Sequence, residues 1–142
     1  MSFLRIHHVG YLVVSIEESI LQFKKLGYII KQETIVDNIR NSYICFLEKD
    51  GYVIELVSPI NEKSVVYKLL KKYKNSPYHI CYETEEFDLQ VNKLQEEGYM
   101  VIQEPCIAPA IANKRVIFLV NNNIGIIELV ETKYSDDVAI QN

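Results

Sequence analysis

Tryptophan is absent from the 142 residues, and cysteine occurs only three times, at Cys45, Cys81 and Cys106. Three thiols cannot all pair, and no two stand in a C-x-x-C arrangement. This argues against a disulfide framework and against a structural zinc ribbon. Basic residues are not in excess either. Fifteen Lys and Arg against nineteen Asp and Glu leave a net charge of −4, which argues against nucleic-acid binding through a basic surface. No apolar run approaches the roughly 18 residues of a membrane span, and the amino terminus has no apolar stretch of the signal-peptide kind. A protein of a reducing compartment, the cytoplasm, is expected, with neither membrane nor nucleic acid as partner. What is present is ordinary for a globular protein: 49% hydrophobic residues and ten Tyr. A chain of this length hides about two-thirds of its unfolded surface without staples, so residues 1–142 are expected to form one domain.

The chain repeats itself. Ile6-His7-His8-Val9-Gly10-Tyr11 opens one copy, and Val53-Ile54-Glu55-Leu56-Val57 closes it. Pro77-Tyr78-His79-Ile80-Cys81-Tyr82 opens the other, and Ile126-Ile127-Glu128-Leu129-Val130 closes it. With His8 placed on His79, Tyr11 falls on Tyr82, Ile20 on Val91, Phe23 on Leu94 and Gly27-Tyr28 on Gly98-Tyr99 without a gap. Such self-similarity has to be read before any single element.

Each copy predicts a short strand carrying the His (about 5–13 and 77–83), a helix, and three strands (about 28–36, 41–48 and 51–58, then 99–104, 114–121 and 124–131). Ser15-x-x-Glu18 is a capping box. Ile16, Ile20, Phe23 and Leu26 recur at helical spacing, as do Phe87, Val91 and Leu94. Gly27 and Gly98 suit helix ends that need a left-handed residue. Lys49-Asp50-Gly51 and Asn121-Asn122-Asn123 are turns between the last two strands. The expected organisation is α+β: a βαβββ module over about 5–59, a connecting amphipathic helix over about 62–75, a second module over about 77–131 and a polar tail over 132–142. In the connecting helix Val66, Leu69, Leu70 and Tyr73 form the apolar face, with Lys residues opposite.

Alternation along a strand sets Ile54 and Leu56 toward the helix layer and turns Glu55 the other way. Ile127, Leu129 and Glu128 repeat the arrangement. His79 and Cys81 share one face, Ile80 and Tyr82 the other. A carboxylate inside an apolar strand is costly unless paired or metal-bound, and here it occurs at matched places in both copies. His8, Glu55, His79 and Glu128 are therefore expected to ligate a divalent metal. His7 falls on the opposite face and reads as structural. Two imidazoles and two carboxylates suit Zn, Ni, Co, Mn or Fe(II). Cys81 reads as a small cavity-lining residue near the substrate rather than a ligand, and Cys45 and Cys106 as buried packing residues. The small, apolar segment 105–115 reads as a loop that could cover the site and offer Lys114 or Arg115 to an anionic substrate group.

The motifs His8-Val9-Gly10, Ile54-Glu55-Leu56-Val57-x-Pro59, Tyr78-His79-Ile80 and Arg115-Val116-Ile117-Phe118-Leu119 followed by Ile127-Glu128-Leu129-Val130-Glu131 resemble, in order and spacing, the vicinal oxygen chelate superfamily. It includes glyoxalase I (lactoylglutathione lyase), methylmalonyl-CoA epimerase, extradiol dioxygenases and fosfomycin-resistance enzymes. The resemblance spans about residues 5–131. It implies a glyoxalase-like fold, in which two tandem βαβββ modules form a curved mixed sheet around a metal-containing cavity, and ligands at His8, Glu55, His79 and Glu128. It further implies a lyase or epimerase that removes a proton α to a carbonyl of a thioester or hemithioacetal and holds the enediolate on the metal. Glu128 would be the displaceable base and Glu55 the second candidate, and the protein would be a homodimer. A Glu at position 55 is typical of glyoxalase I, whereas the surrounding motifs are more similar to the epimerase. Asp37 matches only imperfectly the Glu that epimerases use as base. Other members of the superfamily keep two further readings open: a non-catalytic, bleomycin-resistance-like binding protein, and a pathway-specific tailoring enzyme. A fourth protein ligand argues against an Fe(II) dioxygenase, which uses two His and one carboxylate.

Overall fold

The computed structural model describes residues 4–133. The polar tail expected over 132–142 lies outside them from residue 134 onward. The chain divides into two compact units, one comprising His8–Tyr78 and the other comprising His79 onward together with the residues before His8.

In the first unit, which takes β1 from His8 on, β1 (Arg5–Leu12) leads to α1 (Ile16–Lys25), then β2 (Ile29–Asp37), β3 (Ser42–Lys49), β4 (Tyr52–Pro59) and α2 (Tyr67–Tyr73). The strands run in the order β2-β3-β4-β1. Only β1 and β4 are parallel; the hairpins β2-β3 and β3-β4 are antiparallel. The return from β1 through α1 and two hairpins is what lets the first and last strands lie side by side in the same direction.

The second unit repeats this path. It runs β5 (Ser76–Thr84), α3 (Phe87–Glu96), β6 (Met100–Ala108), a short 3₁₀ turn (Pro109–Ile111), β7 (Lys114–Asn121) and β8 (Gly125–Glu131). The order is β5-β8-β7-β6, with β5 and β8 parallel. Even the irregularities recur: β2 shifts register twice between Ile30 and Ile35, and β6 twice between Val101 and Cys106.

Local chemistry accounts for the element ends. Ser15 caps α1, its hydroxyl accepting from the Glu18 amide at 3.2 Å. Gly27 and Gly98 follow α1 and α3 with φ of 99° and 100°, a region that costs a Cβ-bearing residue about 1 kcal/mol or more. α1 sets Ile16, Ile20 and Phe23 on the core of Val13, Cys45, Leu47, Ile54 and Leu56. α3 sets Phe87, Val91 and Leu94 on Ile117, Leu119, Ile127 and Leu129. Leu26, expected on the α1 face, is 63% exposed because it is the C-cap, past the last helical turn.

Two other expectations change. The connecting helix is shorter than 62–75: the Ser64 hydroxyl accepts from the Val66 amide in a local turn, and the helix begins at Tyr67. Val66 and Leu70 are buried with Leu12 and Val57, and Leu69 packs against them, but Tyr73 is exposed. The expected loop 105–115 is mostly strand. β6 continues through Pro105 to Ala108, because Pro105 sits at a register shift on the outermost strand of its half, where a missing amide costs no ladder bond.

Arg115 ties the second unit together. Its guanidinium donates to both oxygens of Asp88 at 3.1 and 3.0 Å and to Glu131 at 2.7 Å, and lies 4.3 Å from the centre of the Phe87 ring. The Asp88 and then the Glu131 carboxylate hold its pKa above the usual arginine value. Asp88 is largely exposed, so solvent screens that pair. We expect Arg115→Ala to cost about 1–2 kcal/mol, mainly through Glu131 and the ring contact, seen as a lower denaturation midpoint with unchanged slope.

Candidate metal centre

Each unit buries one His–Glu pair on the sheet face away from its helix α1 or α3. In β1, Val9 and Tyr11 pack toward α1, so His8, Gly10 and Leu12 take the other face. In β4, Ile54 and Leu56 pack toward α1, and Glu55 joins His8. The His8 Nε2 lies 3.5 Å from Glu55 Oε1. Leu12 and Val57 extend this face and are covered by Leu70 of α2 and by Val66 just before it.

The second unit has the same geometry. Tyr82 packs toward α3, leaving His79 and Cys81 on the opposite face. Ile127 and Leu129 pack toward α3, leaving Glu128 beside His79, with Nε2 to Oε1 at 3.1 Å. The four residues are between 1% and 6% exposed. Parallel register explains the pairing: Gly10 stands opposite Glu55 in β1-β4, and Cys81 opposite Glu128 in β5-β8. In each half the histidine precedes that position by two and so shares its face.

Two imidazole nitrogens and two carboxylates are a donor set that suits a first-row divalent cation. A buried carboxylate is stable only when its charge is compensated, and the imidazole beside each one adds a nitrogen donor for a cation that would compensate it. The residues present therefore fit the metal that the sequence pattern implies.

The other singled-out residues separate. Cys81 is fully buried on the His79–Glu128 face. Lys114 has the same strand parity as Phe118, which stands opposite Glu128, and so lies on that face too. Arg115 lies on the other face, stacked on Phe87, with its guanidinium engaged by Asp88 and Glu131; it is a structural tie rather than part of a cover over the pair. Burial was expected of Cys45 and is found, and it pushes the thiol pKa up against a smaller opposing effect of Thr34. Cys106 is only half-buried, on the outermost strand of its half. Asp37 is buried and accepts from the amides of Ile39 and Arg40, both at 3.0 Å, and from the Arg40 guanidinium at 2.7 Å. Those donors hold its carboxylate in a turn, an arrangement unlike that of a free general base.

Two neighbours of these histidines went unread in the sequence. Phe46 and Phe118 each lie edge to face with a histidine, His8 and His79 respectively. The available signal was their placement: each Phe and the Glu of its half are symmetric about the intervening hairpin turn.

The chain shares its fold with solved structures along nearly its whole length. A hypothetical protein from Bacillus halodurans C-125 matches with a TM-score of 0.80 and 24% identity, over 92% of this chain and 95% of that one. Methylmalonyl-CoA epimerase from Mycobacterium tuberculosis matches with a TM-score of 0.80 and 23% identity, over 94% and 91%. A methylmalonyl-CoA epimerase in complex with methylmalonyl-CoA and NH4+ matches with a TM-score of 0.80 and 20% identity, over 94% and 97%. These likenesses bear out the expected glyoxalase-like fold. No curated protein matches the chain by sequence. The sequence profile of the glyoxalase/bleomycin resistance protein/dioxygenase superfamily matches residues 7–118, and the chain belongs to that superfamily.

Proposed function

We propose that this protein is a divalent-cation-dependent lyase or epimerase that removes a proton α to a carbonyl, with His8, Glu55, His79 and Glu128 as the ligands of one ion. The observation that carries the reading is the duplicated, buried His–Glu pair at equivalent strand positions. Zn, Ni, Co and Mn all accept this ligand set. Such a cation, when bound, supplies Lewis-acid stabilisation of negative charge developing on the carbonyl oxygen, worth several kcal/mol in the transition state.

The chain's own residues divide the remaining work. Glu128 takes the proton, as a carboxylate held beside the reacting carbon; Glu55 is its counterpart from the other half. His79, 3.1 Å from Glu128, orients that carboxylate. Cys81 lines the same face without a charge to compete, and Lys114 offers a cation to an anionic substrate group. The substrate is a small thioester or hemithioacetal. A cytoplasmic homodimer completes the reading.

Superfamily membership supports the reaction class, and the epimerase neighbours favour an acyl-CoA thioester. The test is deuterium wash-in at the α-carbon of methylmalonyl-CoA, run beside a hemithioacetal isomerisation assay, each with and without added divalent metal. Metal-dependent turnover in one of the two supports the reading. Tight binding of either compound with no exchange in any metal form contradicts it and favours a sequestering protein.

A further inference from the structure

Each half contains a ring that a set of four ligands does not by itself require. Phe46 stands opposite Glu55 in the β3-β4 register, and its ring centre is 5.3 Å from that of His8 with the planes at 80°. Phe118 stands opposite Glu128 in β7-β8, and its ring is 5.3 Å from His79 at 86°. Both imidazoles thus have a carboxylate oxygen near Nε2 and a phenyl ring packed edge to face. The surrounding positions differ between the halves: Gly10 on one side corresponds to Cys81 on the other, and Ser42 to Lys114. The ring and its angle to the imidazole are repeated where the neighbours are not.

The physical reason lies in the imidazole itself. Its χ2 torsion is broad and roughly two-fold, so a histidine on a strand does not by itself hold one nitrogen in one direction. A swing of the ring about χ2 carries Nε2 away from the carboxylate. Edge-to-face packing has a preferred geometry and restrains the plane of the imidazole without adding a polar atom that would compete for an ion.

We propose that Phe46 and Phe118 are positioning residues, each restraining the ring plane of the histidine of its own half while Nε2 lies beside its paired glutamate, so that each half-site is arranged before any ion arrives. This rests in part on the four-ligand reading above.

The test uses full-length Phe46→Leu and Phe118→Leu, which keep apolar bulk and remove the ring. Phe23→Leu, on the α1 side of the sheet, is the control for ring loss elsewhere. Two quantities are measured: Co(II) affinity by chelator competition, and the imidazole proton and carbon resonances of the metal-free protein. Each of the two variants is expected to weaken Co(II) binding by about ten-fold, the lower end of the effect of losing a residue that orients a ligand, with no such loss in Phe23→Leu. Phe46→Leu is expected to broaden or double the His8 signals and leave His79 unchanged; Phe118→Leu does the reverse. Unchanged imidazole signals with Co(II) affinity within two-fold of the parent would overturn the proposal, while leaving the ligand set standing. A parent protein that takes up no cobalt, but whose imidazole signals respond as expected, would overturn the ligand set and leave the positioning role intact.

Discussion

Glu128→Gln is expected to lower turnover by about two to four orders of magnitude, the usual contribution of a positioned general base, while the protein still binds its divalent cation. The substitution keeps the shape of the side chain and one oxygen that can ligate, and removes the basic carboxylate. The exchange leaves the β5-β8 register that places His79 unchanged. Loss of the rate with retention of the metal therefore assigns the proton transfer to Glu128. The same exchange at Glu55 separates the two carboxylates. If Glu128 is the base, Glu55→Gln leaves a larger share of the activity. Turnover that survives Glu128→Gln undiminished would remove Glu128 from this role and shift it to Glu55.

Saturation with a divalent cation is expected to raise the unfolding temperature by about 5–10 °C, and His79→Ala to abolish that rise. At a ligand concentration 100 times its dissociation constant, linkage contributes about 2.7 kcal/mol. For a chain of this size each kcal/mol moves the midpoint by roughly 2–4 °C. Without metal, His79→Ala also leaves the buried Glu128 without the imidazole that lies 3.1 Å away, so the metal-free variant is expected to be less stable than the metal-free parent. Differential scanning calorimetry with and without chelator reads both effects. An equal metal-induced rise in parent and variant would remove His79 from the ligand set.

The repeat in the sequence carried most of the fold, and the reason is physical. Two copies of one hydrophobic pattern bury equivalent faces, so the period-2 alternation around Glu55 and Glu128 and the helical spacing of Ile16, Ile20 and Phe23 agree with the same architecture twice. The two His–Glu pairs followed from that alternation without knowledge of register. Where the sequence misled, longer-range contacts decided the outcome. Pro105 marks a loop in isolation, yet lies in a strand because the register shift beside it needs no amide there. Arg115 looked available to a ligand, but its strand parity aims it at Phe87 and Asp88 across the helix layer. Tyr73 fits an apolar stripe on paper, but as the last residue of the helix it stays exposed while Val66 and Leu70 reach Leu12 and Val57. Phe46 and Phe118 were hidden for a different reason. An aromatic residue in a strand is ordinary, and its partner is fixed only by which residues face each other across a hairpin.

The most direct test of the central claim, that His8, Glu55, His79 and Glu128 jointly hold one divalent ion, is the metal stoichiometry of the purified protein after exposure to Zn, Ni, Co or Mn and removal of loosely bound ions. One equivalent per chain for the parent, falling to near zero in His8→Ala and in His79→Ala alike, is the predicted result. No retained metal in the parent, or an equivalent that persists when either histidine is removed, would contradict it.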